Sequence, residues 1–423
     1  VFQRRGPSSP AFPMNFPPLF ARFSLLCTIL LCTLPFLQPY HLYPLTTFYS
    51  EWLAFALGLG VMTVWMDGRL QERAGIPWVA LSPFALAVLL MVHGLLGWSP
   101  YFGQALAGAL YLAWAGLLIM AGRSLARLWG VETLSLVIAS ALAAGALLSA
   151  AAGLIQFYGL KTPLNAWIAR PTSIALFGNL AQANHFASHA TLGLLSLAYL
   201  SLRGRRTAMI ALPCTLPLLF VLGLSGSRSV WLFMLAALAL AGVWRALHRD
   251  DANKRLFMVT GGLVIVYFLM QVVVQAGWVR SPAQDALTAV DRLFGSPGSV
   301  IDRFSLWRAS WTLLLAHPLN GVGWGAFASA YYQQITAIDA DKLFNLYHNS
   351  HNIVLHLLAE TGLIGGLLLA VPMVIWAFHA LRTPRNSQLW WLLALTGVFA
   401  VHSLLEYPLW YAYFLGIAAL LLG

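Results

Sequence analysis

The run ETLSLVIASALAAGALLSAAAGLIQFY, residues 132–158, carries one charged side chain, at its first position, and none after it. About 20 predominantly apolar residues suffice for an α-helix to cross the ~30 Å hydrocarbon core of a bilayer. A helix that is apolar all round has no face to turn to water, so this run reads as a membrane span. Comparable runs lie on both sides of it. Before it they cover about 22–37, 50–66, 77–97 and 103–122. After it they cover about 184–202, 207–224, 229–247, 256–277, 351–380, 389–404 and 408–422. The expected fold is an all-α polytopic membrane protein of about 12 transmembrane helices.

The composition of the 423 residues agrees: 60% are hydrophobic and 9% charged. Soluble domains carry about 25% charged residues. A soluble globular domain, a disordered chain and a disulfide scaffold are all excluded. Cys27, Cys32 and Cys214 lie in apolar runs without a CxxC pair, and read as inert membrane thiols.

The net charge of +11 takes its meaning from placement. Of the 24 Lys and Arg residues, eight fall on one side of the spans: Lys161, Arg170, Arg228, Arg280, Arg292, Arg303, Arg308 and Lys342. The other 16 fall on the opposite side. The positive-inside rule puts that richer side, with both termini, in the cytoplasm. The charge is thus topological, and nucleic acid is not implied as a partner. The expected organisation is a disordered cytoplasmic tail (1–20), spans one to nine (21–277), one large outer loop (278–350) and spans ten to twelve (351–423).

Long loops are usually functional or disordered, and 278–350 has the marks of order. Ser299 to Asp302 resembles a helix start, DRFSLWRASWTLLLAH (302–317) follows, and Pro318 stops it. At 100° per residue Phe304, Trp307, Trp311, Leu314 and Leu315 share a face flanked by Arg303 and Arg308, the pattern of an interfacial helix. It either anchors the loop or presents an arginine to a lipid-linked phosphate. NGVGWGAF (320–327) is a tight glycine turn, or a nest of N–H groups for an anion. LYHNSHN (346–352) sets His348 and His351 at the water–lipid boundary, where an imidazole suits proton transfer. No third ligand is near in sequence, so no metal site is expected.

Within SGSRSVW (225–231), Arg228 stands at a span end among small residues with no acid nearby in sequence. A charge at membrane depth costs roughly 2.5–3.5 kcal/mol on insertion scales. A bound phosphate or snorkelling to headgroups answers that cost. FGNLAQANHFASH (177–189) gathers Gln182, Asn184, His185 and His189; the zinc-protease glutamate is absent, leaving interhelical bonding or a polar pocket lining. Glu360, His402, Glu406 and Tyr407 are further polar groups with no role legible in the sequence.

In order along the chain, SGSRSVW, DRFSLWRASW, HPLNGVGWGAF and YHNSHNIVLHLLAETGLIG resemble the O-antigen ligase and polymerase superfamily. PLTTFYSEW (44–52), FGNLAQANHF and HSLLEYPLWYAYF (402–414) are similar to its ligase and protein O-oligosaccharyltransferase branches. The resemblance implies a glycosyltransferase of the C type in the bacterial inner membrane, with its site facing the periplasm. It implies a donor polysaccharide on undecaprenyl diphosphate and no cofactor. The family's essential histidine maps to His351 and its essential arginines to Arg228 and Arg303. His348 then orients the acceptor or His351, Arg308 and Arg280 are further diphosphate contacts, and Arg170, Gln182 and Asn184 complete the substrate-binding set. The chain stops at Gly423 without the longer C-terminal region usual in protein O-oligosaccharyltransferases, which points to lipid A–core as acceptor. A protein O-oligosaccharyltransferase or an O-antigen polymerase using the same donor is the alternative within the superfamily, and a six-plus-six transporter the alternative outside it. The long ordered outer loop speaks against a transporter.

Overall fold

The computed structural model describes residues 19–42, 45–66, 75–170, 176–279, 297–338 and 347–423. Residues 1–18 of the expected tail lie outside this set, as do 280–296 and 339–346 of the large loop. Every extended regular element among the described residues is helical. The first nine are α1 (Leu19–Leu31), α2 (Phe48–Met62), α3 (Leu81–Leu95), α4 (Phe102–Trp129), α5 (Val131–Phe157), α6 (Ala183–Ser201), α7 (Arg205–Leu224), α8 (Ser229–Leu247) and α9 (Asp251–Gln275). The loop contributes α10 (Pro297–Ala316) and α11 (Phe327–Ile338). The chain then returns through α12 (Ile353–Arg382), α13 (Ser387–Leu405) and α14 (Ala412–Leu422).

Among the described residues, ten helices are long and apolar enough to cross a membrane. Two of the twelve expected spans depart from that standard. Helix α6 is long enough but carries Asn184, His185, Ser188, His189 and Thr191, and nearly all of its side chains are buried. It packs on α5, α7 and α13. Its polar groups face protein, which is where a bilayer protein tolerates them. Helix α14 has 11 residues, about 16 Å of rise, too little to cross alone.

Local chemistry sets the boundaries. Asp250, Asn352 and Asn386 cap α9, α12 and α13 with side-chain oxygens on backbone N–H groups. Gly130, at φ 82°, turns α4 into α5. Gly193 of α6 lies so close to Ala146 of α5 that a side chain there has no room. Small residues let membrane helices approach in this way.

Helix α10 has two apolar faces where the sequence suggested one. Leu306, Ser310 and Leu313 are buried, with both leucines in a small core with Phe327 and Tyr331 of α11 and Ala359 of α12. Of the side chains expected to share the lipid face, Phe304, Trp311 and Leu315 are exposed, whereas Leu314 is buried. A helix held between a membrane surface and a protein core needs both faces apolar.

Candidate functional site

The polar groups of five segments meet at Glu406, which follows the end of α13. Its Oε2 lies 2.8 Å from Nδ1 of His351, just before α12. Its Oε1 accepts from Nη2 of Arg303, on α10, at 2.8 Å. The same oxygen accepts from Nδ2 of Asn184, at the start of α6, at 3.3 Å. Asn184 Oδ1 in turn accepts from Oγ of Ser227, in the α7–α8 connection, at 2.9 Å. Tyr407 brings its ring edge-on to His351, with centroids 5.4 Å apart. Residues from 184 to 407 thus share one cluster at the loop end of the bundle.

His351 is held by its own short segment. Its φ is +52°, a left-handed conformation that a non-glycine residue rarely adopts. Asn349 Oδ1 accepts from the His351 N–H at 3.3 Å, and Ser350 Oγ donates to the Asn352 carbonyl at 2.9 Å. Asn352 Oδ1 accepts from the N–H groups of Val354 and Leu355, both at 3.1 Å. The polar residues of NSHN therefore build the turn that aims the imidazole. Stored backbone strain of this kind concentrates at functional sites.

Glu406 is 8% exposed. Burial alone pushes its carboxyl up. The hydrogen bond and charge of His351, then the charges of Arg303 and His402, more than offset this and hold it below the usual carboxylate range. An ionised carboxylate on Nδ1 fixes the tautomer with the proton there and leaves Nε2 as the basic nitrogen. Burial beside this carboxylate pushes the Tyr407 phenol up, so it stays a neutral hydroxyl.

The structure brings together three of the residues singled out in the sequence: His351, Arg303 and Asn184. Arg228 is half-buried at the start of α8, next to Ser227, and so beside the same network. Gln182 is engaged elsewhere: its Oε1 caps α6 by accepting from the His185 N–H. His348, Arg308 and Arg170 are exposed, with no side-chain bond joining them to Glu406. Arg280 lies outside the described residues. Glu406 escaped the sequence reading because it is distant in the chain from every partner. Its only signal was a carboxylate at the end of a span, in EYPLWY.

The glycine turn proves to be a nest filled from within. Gly321, Gly323 and Gly325 have φ of 65°, 102° and 78°. Gly321 N–H donates to the His317 carbonyl at 3.0 Å, and Gly323 N–H at 3.0 Å to the backbone carbonyl of Glu360, on α12. Its Oε1 accepts from the Phe327 N–H at 3.0 Å, and the Gly325 N–H also reaches it. The turn is structural, not a free anion site.

Residues 213–370 match the family described as "O-Antigen ligase", and residues 390–423 match one described as "Virulence factor membrane-bound polymerase, C-terminal". The "General O-oligosaccharyltransferase" of Acinetobacter baylyi is 27% identical over 94% of this chain and 69% of its own length. The "ComP-specific O-oligosaccharyltransferase" of the same organism is 24% identical over 56% of this chain and 41% of its own length. The 213–370 match includes Ser227, Arg303 and His351, and the 390–423 match includes Glu406 and Tyr407, whereas Asn184 lies before both.

Proposed function

We propose that this chain, which carries a domain of the O-antigen ligase family, moves a glycan from a polyprenyl diphosphate, undecaprenyl diphosphate in a bacterial inner membrane, to a hydroxyl acceptor. The observation that carries the reading is the bridge of Glu406 between His351 and Arg303. His351 Nε2 takes the proton of the acceptor hydroxyl. The freed oxygen attacks the anomeric carbon, and the bond from that carbon to the diphosphate oxygen breaks. The electron pair leaves with the carrier diphosphate, and a single displacement inverts the anomeric configuration. Arg303 gives one nitrogen to Glu406, and its other guanidinium N–H groups remain for phosphate oxygens. Arg228, beside the network, supplies the second cation. Such preorganised donors stabilise the charge that develops on a leaving group. With two guanidinium groups on the diphosphate, the step needs no divalent metal.

The acceptor is a hydroxyl on a protein. The names of both relatives support this, and the longer length of those relatives removes the weight of the chain's end at Gly423. Lipid A–core is the second reading, supported by the family description over residues 213–370. The site faces the periplasm and both termini the cytoplasm, as the distribution of Lys and Arg directs.

One experiment tests the proposal and separates the acceptors. Purified protein is mixed with lipid-linked glycan and either a Ser/Thr-bearing acceptor protein or lipid A–core, and the glycan-bearing product is identified. Glycan on the protein supports the first reading, and glycan on lipid A–core the second. A longer glycan still on the carrier contradicts both and indicates a polymerase.

A further inference from the structure

Glu360 lies outside the Glu406 cluster and yet is a fully buried carboxylate, 2% exposed. It belongs to a break in α12, where Gly362 leaves the helix at φ 64°. The segment between α10 and α11 is stitched into that break. Val322 N–H donates to the Ala359 carbonyl at 2.9 Å and Gly323 N–H to the Glu360 carbonyl at 3.0 Å. In return, Leu363 N–H donates to the Pro318 carbonyl at 2.8 Å and Ile364 N–H to the Leu319 carbonyl at 3.3 Å. The backbones approach so closely at Gly321 and Gly362 that neither position has room for a side chain. The far side of the turn is pinned too. Trp324 N–H donates to His93 Nδ1 at 3.2 Å, and Ser99 Oγ donates to the Trp324 carbonyl at 2.7 Å.

The Glu360 carboxylate closes this joint. It takes the Phe327 N–H, at the first helical position of α11, one of the N–H groups that a helix start leaves without an intrahelical partner. His356 Nε2 stands 3.5 Å from its other oxygen. A buried carboxylate that loses these partners is costly, and N–H groups that lose the carboxylate are left unpaired. The joint is therefore a firm one. It matters for the site because α10, which carries Arg303, and α12, which follows His351, are the two helices it joins. Together with the packing of Leu306 and Leu313 against Ala359, these bonds hold α10 to α12, so the joint bears on the spacing of Arg303 and His351 about Glu406.

We infer that Glu360 is a positioning residue: it latches the α10–α11 turn into the break of α12 and so fixes the guanidinium of Arg303 against the imidazole of His351. The kinetic part of this inference rests on the transferase reading, whereas the geometric part does not. A misplacement of about 1 Å costs roughly 10²-fold in rate.

The test joins a distance to a rate. Spin labels are placed on Phe304→Cys, beside Arg303, and Val354→Cys, beside His351, both exposed positions, with the half-buried Cys214 replaced by alanine. With Glu360 present, the inter-label distance is single and narrow. Glu360→Ala broadens it and lowers transfer roughly 10²-fold, while Glu360→Gln, whose amide oxygen still accepts from Phe327, restores the narrow distance and most of the rate. If Glu360→Ala does not fold, Glu360→Asp decides in its place: its carboxylate falls one methylene short, so a broadened distance and a reduced rate are expected. A narrow distance in the decisive variant overturns the latch whatever the rate. A broadened distance with full transfer overturns the positioning role. A broadened distance in a protein whose unsubstituted form transfers no glycan leaves the latch standing and removes the transferase reading.

Discussion

Nδ1 of His351 and Oε2 of Glu406 are 2.8 Å apart, although 55 residues separate them in the chain. In the proposed mechanism the contact orients the imidazole as a base. Glu406→Gln keeps the shape but loses the ionised acceptor on Nδ1, so the wrong tautomer becomes available. Transfer is expected to fall by at least about 10²-fold, by analogy with carboxylate loss in other His–carboxylate pairs. The fall appears in kcat, with the donor KM little changed, and steady-state kinetics in detergent reads both.

Glu406 also makes stability depend on pH. Its carboxyl is held below the usual carboxylate range in the folded protein and returns to roughly 4.3 on unfolding. A depressed folded pKa stabilises the fold above the unfolded value and ceases to do so as pH falls through the folded one. The wild type should therefore exceed Glu406→Gln by about 1–3 kcal/mol near neutral pH, the gap closing below the carboxylate range. Thermal unfolding of both proteins across pH checks this, and a gap that does not change with pH would count against it.

In the proposed mechanism Arg303 has two tasks, a bond to Glu406 and a grip on phosphate, which a lysine cannot combine with one compact ammonium. Arg303→Lys is expected to lose roughly 10²–10³-fold in rate despite keeping its charge. Transfer close to wild type in this variant would show that a point charge suffices.

The arginines replace a metal in this account. A chelator such as EDTA is expected to leave transfer unchanged, and restoration of a chelated sample by Mg²⁺ or Mn²⁺ would contradict it.

Much of the fold was legible because a bilayer demands long apolar runs, and those runs are local in sequence. The two departures have physical reasons. Helix α6 hides polar residues inside the bundle, and α14 is short. Of the site, residue type and setting marked the loop histidines and arginines, and the family resemblance singled out His351 and Arg303 among them. Glu406 was not, since nothing local distinguishes a carboxylate that will meet an arginine 103 residues away. Glu360 and the glycine turn were visible separately, but the fact that one fills the other is a tertiary fact. Gln182 caps α6 through its Oε1, and a capping side chain and a pocket-lining one look alike in sequence.

The base role of His351 is tested most directly by His351→Gly. Glycine favours the left-handed backbone found there, so the substitution removes the imidazole without straining the turn. With defined lipid-linked glycan and acceptor, transfer is expected to fall by roughly 10²–10⁴-fold while donor binding persists. Transfer by this variant at the wild-type rate would contradict the account.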